Sequence, residues 1–135
     1  MSNEVEKVRE RMERVPIMKL LGAQIARLEK GLCELTAPKK ENYDGIFETF
    51  HGGLLTTVAD TAAAAAVLTV AGSKAAITTT DINIRFLNPC LSGVTAVAKV
   101  IKAGKTLCPV QVELTDSGGK TVSIAQVTYM VLNTG

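Results

Sequence analysis

The sequence predicts an α+β domain in which a strongly curved antiparallel sheet of about six strands wraps around one long central helix. Three observations carry that expectation. Residues 51–71 form an apolar, alanine-rich stretch without a single Lys, Arg or Glu. Four alternating runs of hydrophobic and polar residues follow it, and two shorter ones precede it. A helix that offers no charged face to water must be enclosed, and the strands supply the enclosure. At 135 residues the chain is sized for one such domain, 1–135.

Each element has a local reason. Residues 3–14, NEVEKVRERMER, place Val5, Val8 and Met12 at spacings of three and four among charges, the pattern of a short amphipathic helix with Asn3 available as its cap. After Pro16 the segment IMKLLG ends at Gly22. The runs 23–29 and 32–37 alternate across Lys30-Gly31 and read as a β-hairpin. Residues 38–50 turn polar, a long connection of the kind that carries function in small domains.

The central helix is expected at about 51–71, stopping at Gly72. The alanine run at 62–66 implies that another element's backbone approaches closely. Strand-like runs follow at about 75–88, 93–103, 105–116 and 120–133, punctuated by Asn88-Pro89, Ala103-Gly104 and the turn at 116–119. In the first, Thr78, Thr80, Ile82, Ile84 and Phe86 alternate against Thr79, Asp81, Asn83 and Arg85. Pro109 suggests that the third is an edge strand or carries a bulge.

Composition removes several classes of function. A net charge of +2, five aromatic residues and no Trp give no basic stripe or stacking platform for nucleic acid. The N-terminus lacks an apolar signal segment, and Asp60 with its threonines makes 54–71 a buried helix and not a membrane span. Cys33, Cys90 and Cys108 are odd in number and far apart, which fits core residues in a reducing cytoplasm. With one histidine, no metal site and no metal or redox cofactor is expected.

Two features break the local pattern. Asp60 is an ionisable group inside an apolar helix; it is either hydrogen-bonded to Thr56, Thr57 or a neighbouring strand, or used for chemistry. His51-Gly52-Gly53 opens the helix, where free amides and the positive dipole end suit a developing oxyanion or a bound anion, while two glycines there also make an ordinary turn. His51 is a base, a hydrogen-bond donor or a helix-end residue. It lies nine residues from Asp60, about 13 Å along the axis, so one helix cannot bring both side chains to one reacting atom. A shared site needs a second copy of the chain. Lys102 and Lys105, with Lys99, cluster near a turn, solvated or available to a phosphate-bearing ligand.

The strings HGGLLTTVADTAAAAA, TTTDINIRFLNPCLSG, the GKT turn and DSGGKTVSIAQVTY, in that order and spacing, resemble the hotdog-fold acyl-CoA thioesterases of the phenylacetate-degradation PaaI type. The resemblance extends from LLGAQIARLEKG to the last strand. It implies chains paired edge to edge as a dimer or dimer of dimers, with active sites at their interface. It further implies Asp60 as nucleophile or general base for thioester hydrolysis, the Gly52 amide polarising the carbonyl with Gly53 beside it, and His51 orienting the site. Thr79 falls where the family often has a hydroxyl that positions water. The family commonly carries Asn six residues before the His and Gly three later; here those positions are Gly45 and Glu48, and the nearest Asn is Asn42. Asn42 and Glu48 are therefore both carried as candidates for the missing role. The expected function is acyl-CoA hydrolysis to acid and CoA. The alternatives are a non-hydrolytic acyl-CoA or aromatic-ligand binding protein and, with less support from the HGG-to-Asp spacing, a hydroxyacyl-thioester dehydratase. Lys102 and Lys105 are the candidate contacts for the CoA phosphates.

Overall fold

A computed structural model describes residues 3–135, arranged as one sheet around one helix. Helix α1 (Asn3–Glu13) buries Val5, Val8 and Met12, the stripe anticipated from their spacing, and Asn3 is its first residue and not a cap ahead of it. A second short helix, α2 (Pro16–Leu21), begins with Pro at its first position and ends at Gly22, whose φ of 66° is the left-handed conformation glycine adopts most easily.

Strands β1 (Gln24–Glu29) and β2 (Leu32–Ala37) form the expected hairpin. A short 3-10 turn at Glu41–Tyr43 interrupts the long connection to α3 (Gly52–Ala71). Strands β3 (Ala76–Phe86), β4 (Val94–Val100), β5 (Leu107–Asp116) and β6 (Thr121–Asn133) complete a six-stranded antiparallel sheet of order β1-β2-β4-β5-β6-β3. The chain thus passes from β2 through α3 to the opposite edge of the sheet.

Helix α3 packs against all six strands and α1. Ala59, Ala62, Ala63, Ala65 and Ala66 are fully enclosed, and their small side chains let the strands close on the helix. It is the one helix among the described residues long and apolar enough to cross a membrane, and most of it lies inside the domain. Cys33, Val110, Val112, Leu114, Val122 and Val127 form the facing core. All three cysteines are buried, free thiols, and burial raises the pKa of each above its ordinary value, that of Cys33 to about 12.

Two sequence expectations are corrected. Pro109 lies in β5, an interior strand, opposite Thr128 and away from the irregularity at 114–115. Its carbonyl accepts from Ile101 N–H at 2.8 Å, beyond the last β4–β5 pair, Val100–Val110. A residue's N and O point to the same side of a strand, so the missing N–H falls where β4 has already ended. The second correction concerns β3: its pairing with β6 slips between Thr79 and Asp81, and this bulge reverses the alternation. Thr79 consequently faces inward with Ile77, Ile82 and Ile84 instead of sharing the outer face with Asn83 and Arg85.

Candidate active site

The position of Asp60 follows from three elements. It sits in the third turn of α3, one turn before Ala64 on the same side, and is only partly buried. Its Oδ1 accepts two hydroxyl hydrogen bonds from the sheet, Thr79 Oγ1 at 2.9 Å from β3 and the Tyr129 hydroxyl at 2.7 Å from β6. Thr56 and Thr57 do not serve it; they donate to the Gly52 and Gly53 carbonyls at 2.8 and 3.0 Å. Of the two structural explanations open from sequence, the neighbouring strand is the one found.

Asp60, Thr79 and Tyr129 line a pocket of about 380 Å³, whose apolar wall includes Met12, Val15, Ile17, Ala64, Leu68 and Ile77. Arg11, also at this pocket, commits Nη1 to the carbonyls of Ser73 and Ala75 at 2.9 and 2.8 Å and so pins α1 over the end of α3. A carboxylate beside an apolar pocket, held by neutral donors, has the ingredients of a general base or nucleophile.

Sequence reasoning missed Tyr129. Its signal was the alternation Ala125, Val127, Tyr129, which puts the phenol on the buried face, where a tyrosine hydroxyl requires a partner. Burial pushes its phenol above the ordinary value, and the neighbouring Asp60 carboxylate adds to that rise against an opposing Thr79 hydrogen bond. The hydroxyl therefore stays protonated and available to donate across the physiological range.

The second constellation lies at the start of α3. His51 is the N-cap, and its Nδ1 accepts from Gly53 N–H at 2.9 Å. With Nδ1 accepting, the ring has an N–H on Nε2 available to donate. A Cβ on Gly53 would come within 3.0 Å of that ring, so glycine is what permits the cap. Gly52 N–H meets no acceptor among the described residues, as the first amide of a helix often does not. A Cβ on Gly52 would lie 3.2 Å from Phe86 Cζ, and the two residues border a hollow of about 330 Å³ with Leu55 and Asn88.

Within one chain Asp60 and Gly52 line separate pockets. The other candidates stand apart from both. Asn42 is exposed in the 3-10 turn, and Glu48 is exposed beside Ile46 and Phe47, which are 95% and 75% exposed at the loop tip. Gly45, where the family's Asn would fall, packs against the His51 ring. Lys102 and Lys105 are exposed between β4 and β5 and line neither pocket. Lys39 is not a free loop lysine: its Nζ lies 2.6 Å from Asp44 Oδ1, an ion pair without well-aligned hydrogen-bond geometry that ties the loop down.

The family model described as the thioesterase superfamily matches residues 47–123, more than half the chain and including His51, Asp60 and Thr79. The chain belongs to the thioesterase superfamily. Human acyl-coenzyme A thioesterase 13 is 31% identical over 97 residues, covering 70% of this chain and 67% of that protein. A proposed esterase of Saccharolobus solfataricus, SSO2140, is 31% identical over 119 residues, 87% of this chain and 84% of its own. Among solved structures, a thioesterase family protein from Silicibacter pomeroyi superposes with a TM-score of 0.90 at 29% identity, covering 97% of this chain and 99% of the other. The superfamily member described here has the hotdog fold, its sheet wrapped around α3 as the sequence resemblance implied.

Proposed function

We propose that this protein is an acyl-CoA thioesterase, hydrolysing an acyl-CoA to the free acid and CoA. The observation that carries the reading is Asp60: a carboxylate in an otherwise uncharged helix, held by two sheet hydroxyls and open to an apolar pocket. Membership of the thioesterase superfamily and the likeness to human acyl-coenzyme A thioesterase 13 support the same chemistry.

In the proposed reaction the thioester carbonyl of a substrate rests against the free Gly52 amide of one copy while Asp60 of a second copy supplies the carboxylate. The amide stabilises the negative charge that grows on the carbonyl oxygen. Asp60 takes the proton of an attacking water, or adds to the carbonyl carbon itself and forms an anhydride that water then cleaves. In both routes the C–S bond breaks, CoA leaves as thiolate and takes up a proton, and the carboxylate is regenerated. His51 caps the helix that carries Gly52 and directs Nε2–H outward toward the thioester. Lys105 and Lys102 hold the phosphates of CoA from the surface. A dimer or dimer of dimers is the active form, and the buried free thiols agree with work in a reducing cytoplasm.

The test is free-thiol release from a panel of short-, medium- and long-chain and aryl CoA thioesters. Turnover of at least one class with enzyme-like saturation is expected. Saturable binding without thiol release from any would overturn hydrolysis and favour the non-hydrolytic binding protein, to which Gly45 and Glu48 in place of the family's Asn and Gly would then be the pointer.

A further inference from the structure

The two oxygens of Asp60 are not equivalent. Oδ1 accepts from both Thr79 and Tyr129, at 2.9 and 2.7 Å, whereas Oδ2 meets no donor among the described residues. The Tyr129 hydroxyl also stands 3.0 Å from the Asp60 main-chain carbonyl, a second acceptor for its single proton, and the shorter contact is the one to Oδ1. Tyr129 is 6% exposed and Thr79 half-buried, which leaves these bonds little competition from water.

From this geometry we infer that Tyr129 is a positioning residue of the active site: with Thr79 it occupies Oδ1 and leaves Oδ2 as the one oxygen that attacks or takes the proton. The inference rests on the thioesterase reading and adds to it a residue beyond the 47–123 match.

The physical basis is directional. A free carboxylate rotates about χ2, whose potential is broad, and presents either oxygen. Two donors from different strands on a single oxygen hold the plane and aim the other oxygen into the pocket, which converts a rotor into an oriented base. The charged or titratable groups that line the pocket with Asp60 are Arg11 from α1 and Tyr129 from β6; β3 contributes the neutral Thr78 and Thr79, and α3 adds Thr61.

Tyr129→Phe removes the hydroxyl and keeps the ring. A hydrogen bond to a charged group corresponds to about a 10- to 100-fold effect, so kcat should fall by that factor while KM for acyl-CoA stays within about twofold. Thr79→Val should lower kcat likewise, and because both donors serve one oxygen the double variant should lose less than the product of the single losses.

Folding of each variant is followed by circular dichroism and thermal unfolding. If Tyr129→Phe does not fold, 4-fluorophenylalanine placed at 129 fills the space of the hydroxyl without a donor, and kcat should then fall by the same factor. Folded Tyr129→Phe with unchanged kcat, or with a loss carried by KM alone, overturns the proposal; so does a folded 4-fluorophenylalanine enzyme with the parental kcat. The thioesterase reading fails separately, through a parent protein that binds CoA thioesters without releasing thiol, whereas a Tyr129→Phe result is read only on a parent that turns over.

Discussion

His51 and Asp60 belong to the same α3, His51 as its N-cap and Asp60 in its third turn, about 13 Å apart along the axis by the rise of nine residues. Each is fixed where it stands: His51 Nδ1 by Gly53 N–H at 2.9 Å, Asp60 Oδ1 by Thr79 and Tyr129. Neither can swing to the other, so a reaction that uses both draws them from two copies.

Mixed chains test this. His51→Ala and Asp60→Asn homodimers should each be nearly inactive, while exchanged subunits form hybrids with one intact site, His51 from one copy and Asp60 from the other. Activity should approach half that of the parent per hybrid dimer. Inactive mixtures after subunit exchange has been verified by mass or fluorescence would contradict a shared site.

The CoA end of the substrate gives a second prediction. Lys105 and Lys102 are exposed, so a contact from either to the CoA phosphates should be salt-screened and contribute only about 0.2–1 kcal/mol. Lys105→Ala should raise KM for acyl-CoA by up to about fivefold, leave kcat unchanged, and lose its effect in high salt or with a short thioester lacking the nucleotide. Equal damage to both substrates would remove Lys105 from CoA binding.

Stability should decline in alkali for a reason that lies in the core. Burial raises the Cys33 thiol from 9.0 to about 12. Between those values the unfolded chain has released the proton and the folded chain has not, so stability is full below about pH 9 and falls as pH rises toward 12. Denaturant midpoints should decrease over that window, and Cys33→Ala should flatten the slope. Burial acts in the same direction on Cys90, Cys108 and Tyr129, so some slope remains. An unchanged slope in Cys33→Ala would contradict a buried thiol.

Much of this arrangement was legible from periodicity alone. The stripe of Val5, Val8 and Met12, the hairpin across Gly31 and the cation-free helix ending at Gly72 all follow from spacing and side-chain size. What escaped depends on pairing between strands. The bulge after Thr79 leaves no mark in the alternation of Thr78, Thr79 and Thr80, yet it decides that Thr79 turns toward Asp60. Pro109 looked like an edge residue because sequence reports the missing N–H but not where β4 stops. Tyr129 was readable as buried, while its partner, 69 residues away, was not. Asn42 and Glu48 were singled out by a family offset, and in the fold they sit exposed on the connection before α3, apart from Asp60.

The central claim is that the Asp60 carboxylate performs the hydrolysis, and the most direct measurement is thiol release by Asp60→Asn. Asn keeps the size of the side chain and an oxygen to accept from Thr79 and Tyr129, so the fold should survive with an unfolding temperature near that of the parent. Without a base or nucleophile, kcat on the best CoA thioester should fall about 100-fold or more with KM little changed. A folded Asp60→Asn that hydrolyses at near-parental rate would contradict the account.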